Sequence, residues 1–177
     1  MIVFDKYEKR GAYHWRQYQK GGNYHNHVNK VVDWVREGKT LDVGAGDGLI
    51  TSLLGVRGID DNECAVCLAK QKGVQVELAT AYDLYKYIGY ENVLMLDVIE
   101  HLEYPEKVLS EIKKVLVEGG FLYITAPLVL ESGELRKYHY QEWTEVALID
   151  FMETNGFKCI SIETVAKYER IYGVFEL

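Results

Sequence analysis

Between Tyr24 and Glu37, residues Val28, Val31, Val32 and Val35 recur at i, i+3, i+4 and i+7, the spacing of one apolar helix face, and Gly38 supplies a stop. The period then changes. Leu41 to Val43 reads as a short strand, Gly44, Gly46 and Gly48 as a turn, and Leu49 to Leu54 as a helix. A second strand, Val56 to Ile59, delivers Asp60 and Asp61 at its tip. Glu63 to Lys72 is expected to be helical and ended by Gly73, with a third strand over Val74 to Leu78. Asn92 to Leu96 is an unbroken apolar run, the pattern of a central parallel strand covered by helices on both faces. Pro105 opens a helix that keeps Val108, Leu109, Ile112, Val115 and Leu116 in register and is expected to end at Gly119 and Gly120. Phe121 to Ala126 is the next strand, broken by Pro127. Thr144 caps a last helix, stopped by Gly156, before strands at Phe157 to Val165 and Arg170 to Phe175 with Tyr168 and Glu169 in a hairpin between them. Seven strands alternating with helices predict an α/β three-layer sandwich, its sheet mostly parallel with an antiparallel last strand, in one domain over residues 1–177.

Composition narrows the partners. The 177 residues suffice for one substantial core, and 48% hydrophobic with 27% charged residues is a globular balance. No apolar run approaches the ~20 residues of a membrane span, and the start, MIVFDKYEKR, has no signal-like run, so no membrane association and a cytoplasmic location are expected. A net charge of −7 repels polyanions on average, and basic clusters such as Lys9-Arg10 are short. Nucleic acid is therefore disfavoured and a small acceptor expected. Three cysteines make no disulfide framework; Cys64 and Cys67 form a lone C-x-x-C, expected to face the core beside Ala65, Leu68 and Ala69.

Strand, glycine turn, helix, strand and acid, from Thr40 to Asp61, make half of a nucleotide-binding unit. A dinucleotide fingerprint would read G-x-G-x-x-G. Here the glycines run G-x-G-x-G, Leu49 takes the third place, and Asp47 puts negative charge where a pyrophosphate would lie. The sequence LDVGAGDG closely resembles motif I of the class I S-adenosylmethionine (SAM)-dependent methyltransferases, LDVIEHLEYPEKVL resembles their fourth motif, and KKVLVEGGFLYITAP their following helix, glycine pair and fifth strand. The resemblance implies a Rossmann-like fold, SAM as cofactor and S-adenosylhomocysteine (SAH) as product. It assigns Gly44, Ala45 and Gly46 to the cofactor turn, Asp42 to the methionine end, and Asp60 and Asp61 to the ribose. Ala81 and Tyr82 would hold the adenine, although Thr80 stands where the family commonly has Asp, and Asp97 and Val98 would reach the same crevice. By the same resemblance the aromatic segment 1–23 is a lid centred on Gly11 to Trp15; read from its residues alone it is equally a packing arm.

Methyl transfer from a sulfonium is a displacement, so alignment supplies much of the rate and few side chains are required. An acceptor proton still needs a base. His101 is the first candidate and His139, in the substrate-side loop 128–141, the second. The string Asp97-x-x-Glu100-His101, with His139 ahead of Gln141-Glu142-Trp143-Thr144, also looks like the metal site of small-RNA terminal ribose methyltransferases. That alternative implies a divalent ion and an RNA ribose 2′-hydroxyl; the favoured reading has no metal, an O or N acceptor and a small molecule. A third alternative is a SAM-binding regulator without catalysis.

Overall fold

Strand formation by the short apolar runs and helix formation by the amphipathic ones produce one sheet with helices on its faces; the computed structural model describes residues 4–129 and 132–177. Three helices come first, α1 (Lys6–Arg10), α2 (Tyr13–Lys20) and α3 (Asn23–Trp34). The alternating part follows as β1 (Thr40–Val43), α4 (Leu49–Leu54), β2 (Arg57–Asp60), α5 (Glu63–Gln71), β3 (Val76–Leu78) and β4 (Tyr90–Leu96). It continues as α6 (Pro105–Val115), β5 (Leu116–Pro127), α7 (Glu145–Thr154), β6 (Lys158–Val165) and β7 (Arg170–Glu176). The strand order is β3-β2-β1-β4-β5-β7-β6, with β7 antiparallel to both neighbours and the remaining pairs parallel. The chain runs from β1 to β2 on one side and returns to β4 on the other, which opens a crevice at the carboxyl ends of β1 and β4.

The core lies where the pattern placed it. Val93, Leu94 and Met95 of β4 are fully buried, as are Val108, Leu109, Ile112 and Val115 along one face of α6. Each such side chain stabilises the fold by roughly 1.5–3 kcal/mol. Asn62 caps α5 by accepting the Ala65 N–H, and Thr144 caps α7 by accepting that of Ala147. Among the described residues no helix is long and apolar enough to cross a membrane.

Four details depart from the sequence pattern. The aromatic N-terminal segment, for which no element is predicted, forms the short helices α1 and α2; Met1 to Val3 lie outside the described residues, as do Leu130 and Glu131 of the loop 128–141. Helix α3 stops at Trp34 rather than Glu37, because Val35 turns extended and the Arg36 N–H is taken by the Tyr123 hydroxyl at 3.3 Å. The pair Gly119 and Gly120 does not end α6 but lies inside β5, beside the register shift between β4 and β5; a Cβ on Gly120 would stand 2.9 Å from the Val117 carbonyl oxygen. Cys64 is half-buried and Cys67 exposed, since Ala65 and Ala69 occupy the buried stripe of α5. The thiols therefore do not form the core-facing pair the sequence suggested.

Candidate active site

The turn after β1 follows from its glycines. Gly44, Gly46 and Gly48 have φ of 77°, 58° and 77°, closed to most side-chain-bearing residues, and the Gly44 and Ala45 N–H groups both donate to Ile59 O at 2.9 Å. A Cβ on Gly44 would collide with Val98, two residues past the end of β4, so the turn is pressed directly against the segment that leaves the neighbouring strand. Asp60 closes the loop. Its Oδ2 accepts the Gly46 N–H at 2.7 Å and its Oδ1 that of Asn62 at 2.9 Å, leaving each oxygen a further lone pair toward the cleft. Burial pushes the Asp60 carboxyl up to about 6. Asp42 lies beneath, buried, with the Thr51 hydroxyl donating to it at 2.6 Å, and burial also pushes it up to about 6.

The N-terminal helices cover this turn. The Tyr7 hydroxyl lies where a Gly46 Cβ would be, and Tyr7 itself is buried. Asp47, fully buried, accepts the His14 N–H at 3.1 Å and faces His14 Nδ1 at 3.2 Å, while its carbonyl accepts Trp15 Nε1 at 2.8 Å. The acid that the sequence set against a pyrophosphate thus fastens α2 onto the glycine turn.

Past β4 the chain turns through Asp97 at φ 54°, a left-handed angle uncommon for a residue with a side chain. Burial opposes its charge, but Arg170 Nε and Nη2 donate to the carboxylate at 2.8 Å and the Thr125 hydroxyl at 3.0 Å, which together hold Asp97 well below the ordinary carboxylate range. Arg170 heads the antiparallel β7; only the sheet order brings it here.

A cluster sits beyond. His101 Nδ1 contacts the Tyr138 carbonyl at 2.8 Å and therefore carries the proton, leaving Nε2 bare, 3.8 Å from Glu100 Oε1. His139 Nδ1 pairs with Glu142 Oε1 at 2.8 Å, and the two imidazoles meet edge to face with centroids 4.8 Å apart. Glu142 is in turn held by Arg136, whose Nη1 donates at 2.8 Å. Burial pushes His101 down to about 4 and His139 below its usual value, so both rings are neutral. Burial, then the Asp97 charge, pushes the Glu100 carboxyl well up, and its Oε2 has no hydrogen-bond partner among the described residues. One ligand atom each from Glu100, His101 and His139 lie within 4.8 Å of one another.

The glycine turn, the Asp97 corner and the histidine cluster all border one cleft of about 780 Å³. It brings together Asp42, Gly44, Ala45, Gly46, Asp60, Asp61, Ala81, Asp97, Val98, His101 and His139, the expected residues with one exception. Tyr82 is exposed, does not line the cleft, and accepts the Tyr104 N–H on its hydroxyl at 3.2 Å. Asp97 is committed to Arg170 and stands apart from the Glu100, His101 and His139 trio, so the four-residue constellation contracts to three. Sequence reasoning missed Lys6, His27 and Arg170, which line the same cleft, and the Thr51 and Thr125 hydroxyls that hold its acids. Only Thr125 carried a signal, as a polar residue inside an apolar strand.

Residues 41–124 match the family model of a methyltransferase domain. The chain is 28% identical over 131 residues, 70% of its length and 60% of the relative's, to an uncharacterised protein of Methanocaldococcus jannaschii. It is 33% identical over 101 residues, 48% of its length and 31% of the relative's, to the mitochondrial ubiquinone biosynthesis O-methyltransferase of Candida albicans. The chain thus spans less than two thirds of the curated relatives it matches. The crystal structure of magnesium protoporphyrin IX methyltransferase from Synechocystis with bound SAM shares the fold, with a TM-score of 0.71 at 19% identity over 97% of this chain and 93% of that one. Residues 41–124 are thus those of a methyltransferase domain, set on a fold that the chain shares with a SAM-bound methyltransferase.

Proposed function

We propose that this chain transfers the methyl group of SAM to an oxygen or nitrogen of a small acceptor, with His101 taking the acceptor's proton and His139 beside it. The observation that carries this reading is that the bare Nε2 of a neutral His101 borders the same cleft as the Gly46 and Asp60 cradle. In this reading Asp60 and Asp61 hold the ribose, Ala81 the adenine, and Asp42, Asp97 and Val98 bound the methionine end. Residues 1–23 form the lid of a single domain, and the loop 128–141 faces the acceptor. The likeness to a ubiquinone-biosynthesis O-methyltransferase supports oxygen as the receiving atom. Displacement at a sulfonium needs collinear nucleophile, carbon and sulfur; the glycine turn fixes the sulfur side and His101 the nucleophile side. Methyl transfer from labelled SAM to a panel of phenols, catechols and amines tests it. Transfer to none of them, or undiminished transfer by His101→Ala, would refute the assignment.

A second reading is favoured by the Glu100, His101 and His139 trio. Both imidazoles are oriented through Nδ1, by a carbonyl and by a carboxylate, which leaves their Nε2 atoms as ligands, and Glu100 offers a buried oxygen without a partner among the described residues. Metal–ligand distances of ~2.1 Å require the three atoms to draw in to roughly 3–3.5 Å from one another. Two imidazoles and a carboxylate with an open position suit Zn²⁺, Mn²⁺ or Fe²⁺. Bound there, such an ion would polarise an acceptor hydroxyl as a Lewis acid. Turnover indifferent to EDTA, together with no calorimetric heat on adding Mn²⁺ or Zn²⁺, would remove this version.

A further inference from the structure

We propose that Lys6 is an anion receptor on the acceptor side of the cleft, so that the methylated molecule carries an anionic oxygen group, such as a carboxylate, near its accepting atom. The inference deepens the methyl-transfer reading and rests on it.

Position comes first. Lys6 opens α1, is half-buried and lines the cleft. Its Nζ stands 5.1 Å from the Phe4 ring centroid and 5.5 Å from that of Tyr138. Phe4 in turn packs edge-on against His101 with centroids 5.1 Å apart, so the ammonium belongs to the acceptor side, whereas Tyr7 covers the glycine turn. The segment is tied down, because the Tyr138 hydroxyl donates to Asp5 at 2.6 Å.

Charge comes second. Lys6 makes no ion pair or hydrogen bond with any described residue. Two other cations of the cleft are answered for, Arg170 by Asp97 and Arg136 by Glu142, while Arg10, which also lines it, is exposed to water. The carboxyls that attract Lys6, Asp97 and Glu100, form no ion pair with it, and Asp97 is already paired with Arg170. Burial, then repulsion from Arg10, lowers the Lys6 ammonium, the mark of a cation lacking its counter-charge. Cation–π contact with two rings offsets only about 0.5–2 kcal/mol of that desolvation. An anionic oxygen delivered by a flat ligand would satisfy both the ammonium and the aromatic walls.

The same chemistry could be met by the carboxylate of the cofactor itself, so the experiment has two arms on the full chain. In the first, SAH-loaded wild type and Lys6→Gln are titrated calorimetrically with benzoate and with benzamide, its neutral isostere. The expected result is a preference of roughly tenfold or more for benzoate in the wild type, absent in Lys6→Gln and restored in Lys6→Arg. In the second arm, the Lys6→Gln protein is titrated with SAH and with 5′-methylthioadenosine, which lacks the amino-acid end, and both affinities are expected to match the wild type. Wild type that does not distinguish benzoate from benzamide, whether by equal binding or by none, overturns the proposal, as does a preference that survives in Lys6→Gln. A loss confined to SAH reassigns Lys6 to the cofactor and overturns the acceptor role. None of these results touches the methyl-transfer reading, which fails separately, by absence of transfer to any acceptor.

Discussion

The two halves of the cleft, assigned to cofactor and acceptor in the proposed reading, are built on different principles. The first runs without interruption from Asp42 to Asp60, and its shape is set by backbone: three left-handed glycines, two N–H groups converging on Ile59 O, and a carboxylate bonded to the Gly46 N–H. The second gathers Lys6, Glu100 and His101, the Arg136 to Glu142 loop, and Arg170 from four separate segments, and its shape is set by side chains. A backbone-built site holds a constant ligand; one assembled from side chains on loops can change its ligand by substitution while the fold persists.

The sharpest break of that comparison is Gly44→Val. The new side chain must adopt φ 77° and enter the space of Val98. Strain and overpacking of about 1–3 kcal/mol each should weaken SAH binding by roughly a hundredfold or more, with the far-ultraviolet circular dichroism retained. Calorimetry with SAH checks it, and unchanged affinity would mean that the turn is not the cofactor's cradle. The converse substitution is His101→Ala. It should lower kcat by about 10²–10⁴ while leaving SAH affinity within about twofold, since in the proposed reading the imidazole serves the acceptor and not the cofactor. A matching loss in SAH affinity would merge the two halves.

Legibility from sequence divides along the same line. Helix spacing at Val108, Leu109, Ile112 and Val115 and the unbroken run at Val93 to Met95 gave α6 and β4 because burial follows period directly. The glycine turn was equally readable, since so few residues tolerate its angles. What stayed hidden depends on pairing between distant segments. Arg170 reaches Asp97 only because β7 inserts antiparallel between β5 and β6, and no local pattern encodes that neighbourhood. The N-terminal aromatics gave no period because α1 and α2 are short and derive their order from Asp47 and the rings they cover. Cys64 and Cys67 were misplaced because two alanines already filled the buried face of α5.

Acidification should separate the halves without any mutation. Asp42 and Asp60, raised to about 6, gain protons as pH falls through that value, and a protonated Asp60 loses acceptor capacity toward ribose hydroxyls. SAH affinity is therefore expected to be level above pH 6 and to weaken below it. His101, lowered to about 4, keeps its bare Nε2 until far lower pH, so kcat at saturating SAM should retain its base down to about 4. Calorimetry and saturated turnover measured from neutral pH downward would show the two acid limbs apart; coincident limbs would put both under one group.

The smallest effect probes the outer edge of the cofactor half. Asp60 is fixed by two backbone N–H bonds, but its neighbour Asp61 is exposed at the rim and has no hydrogen bond or ion pair with any described residue. A carboxylate so wetted must surrender water to bind a ribose hydroxyl and order a free side chain, so its net contribution should fall at or below the low end of the ~0.5–1.5 kcal/mol of an ordinary hydrogen bond. Asp61→Asn is accordingly expected to change the SAH dissociation constant by less than about threefold, whereas Asp60→Asn, which removes a carboxylate that orders the turn, should cost far more. If Asp61→Asn instead weakens SAH as strongly as Asp60→Asn, the ribose is shared between both acids. The cofactor half would then depend on a mobile side chain as well as on its glycine-set backbone.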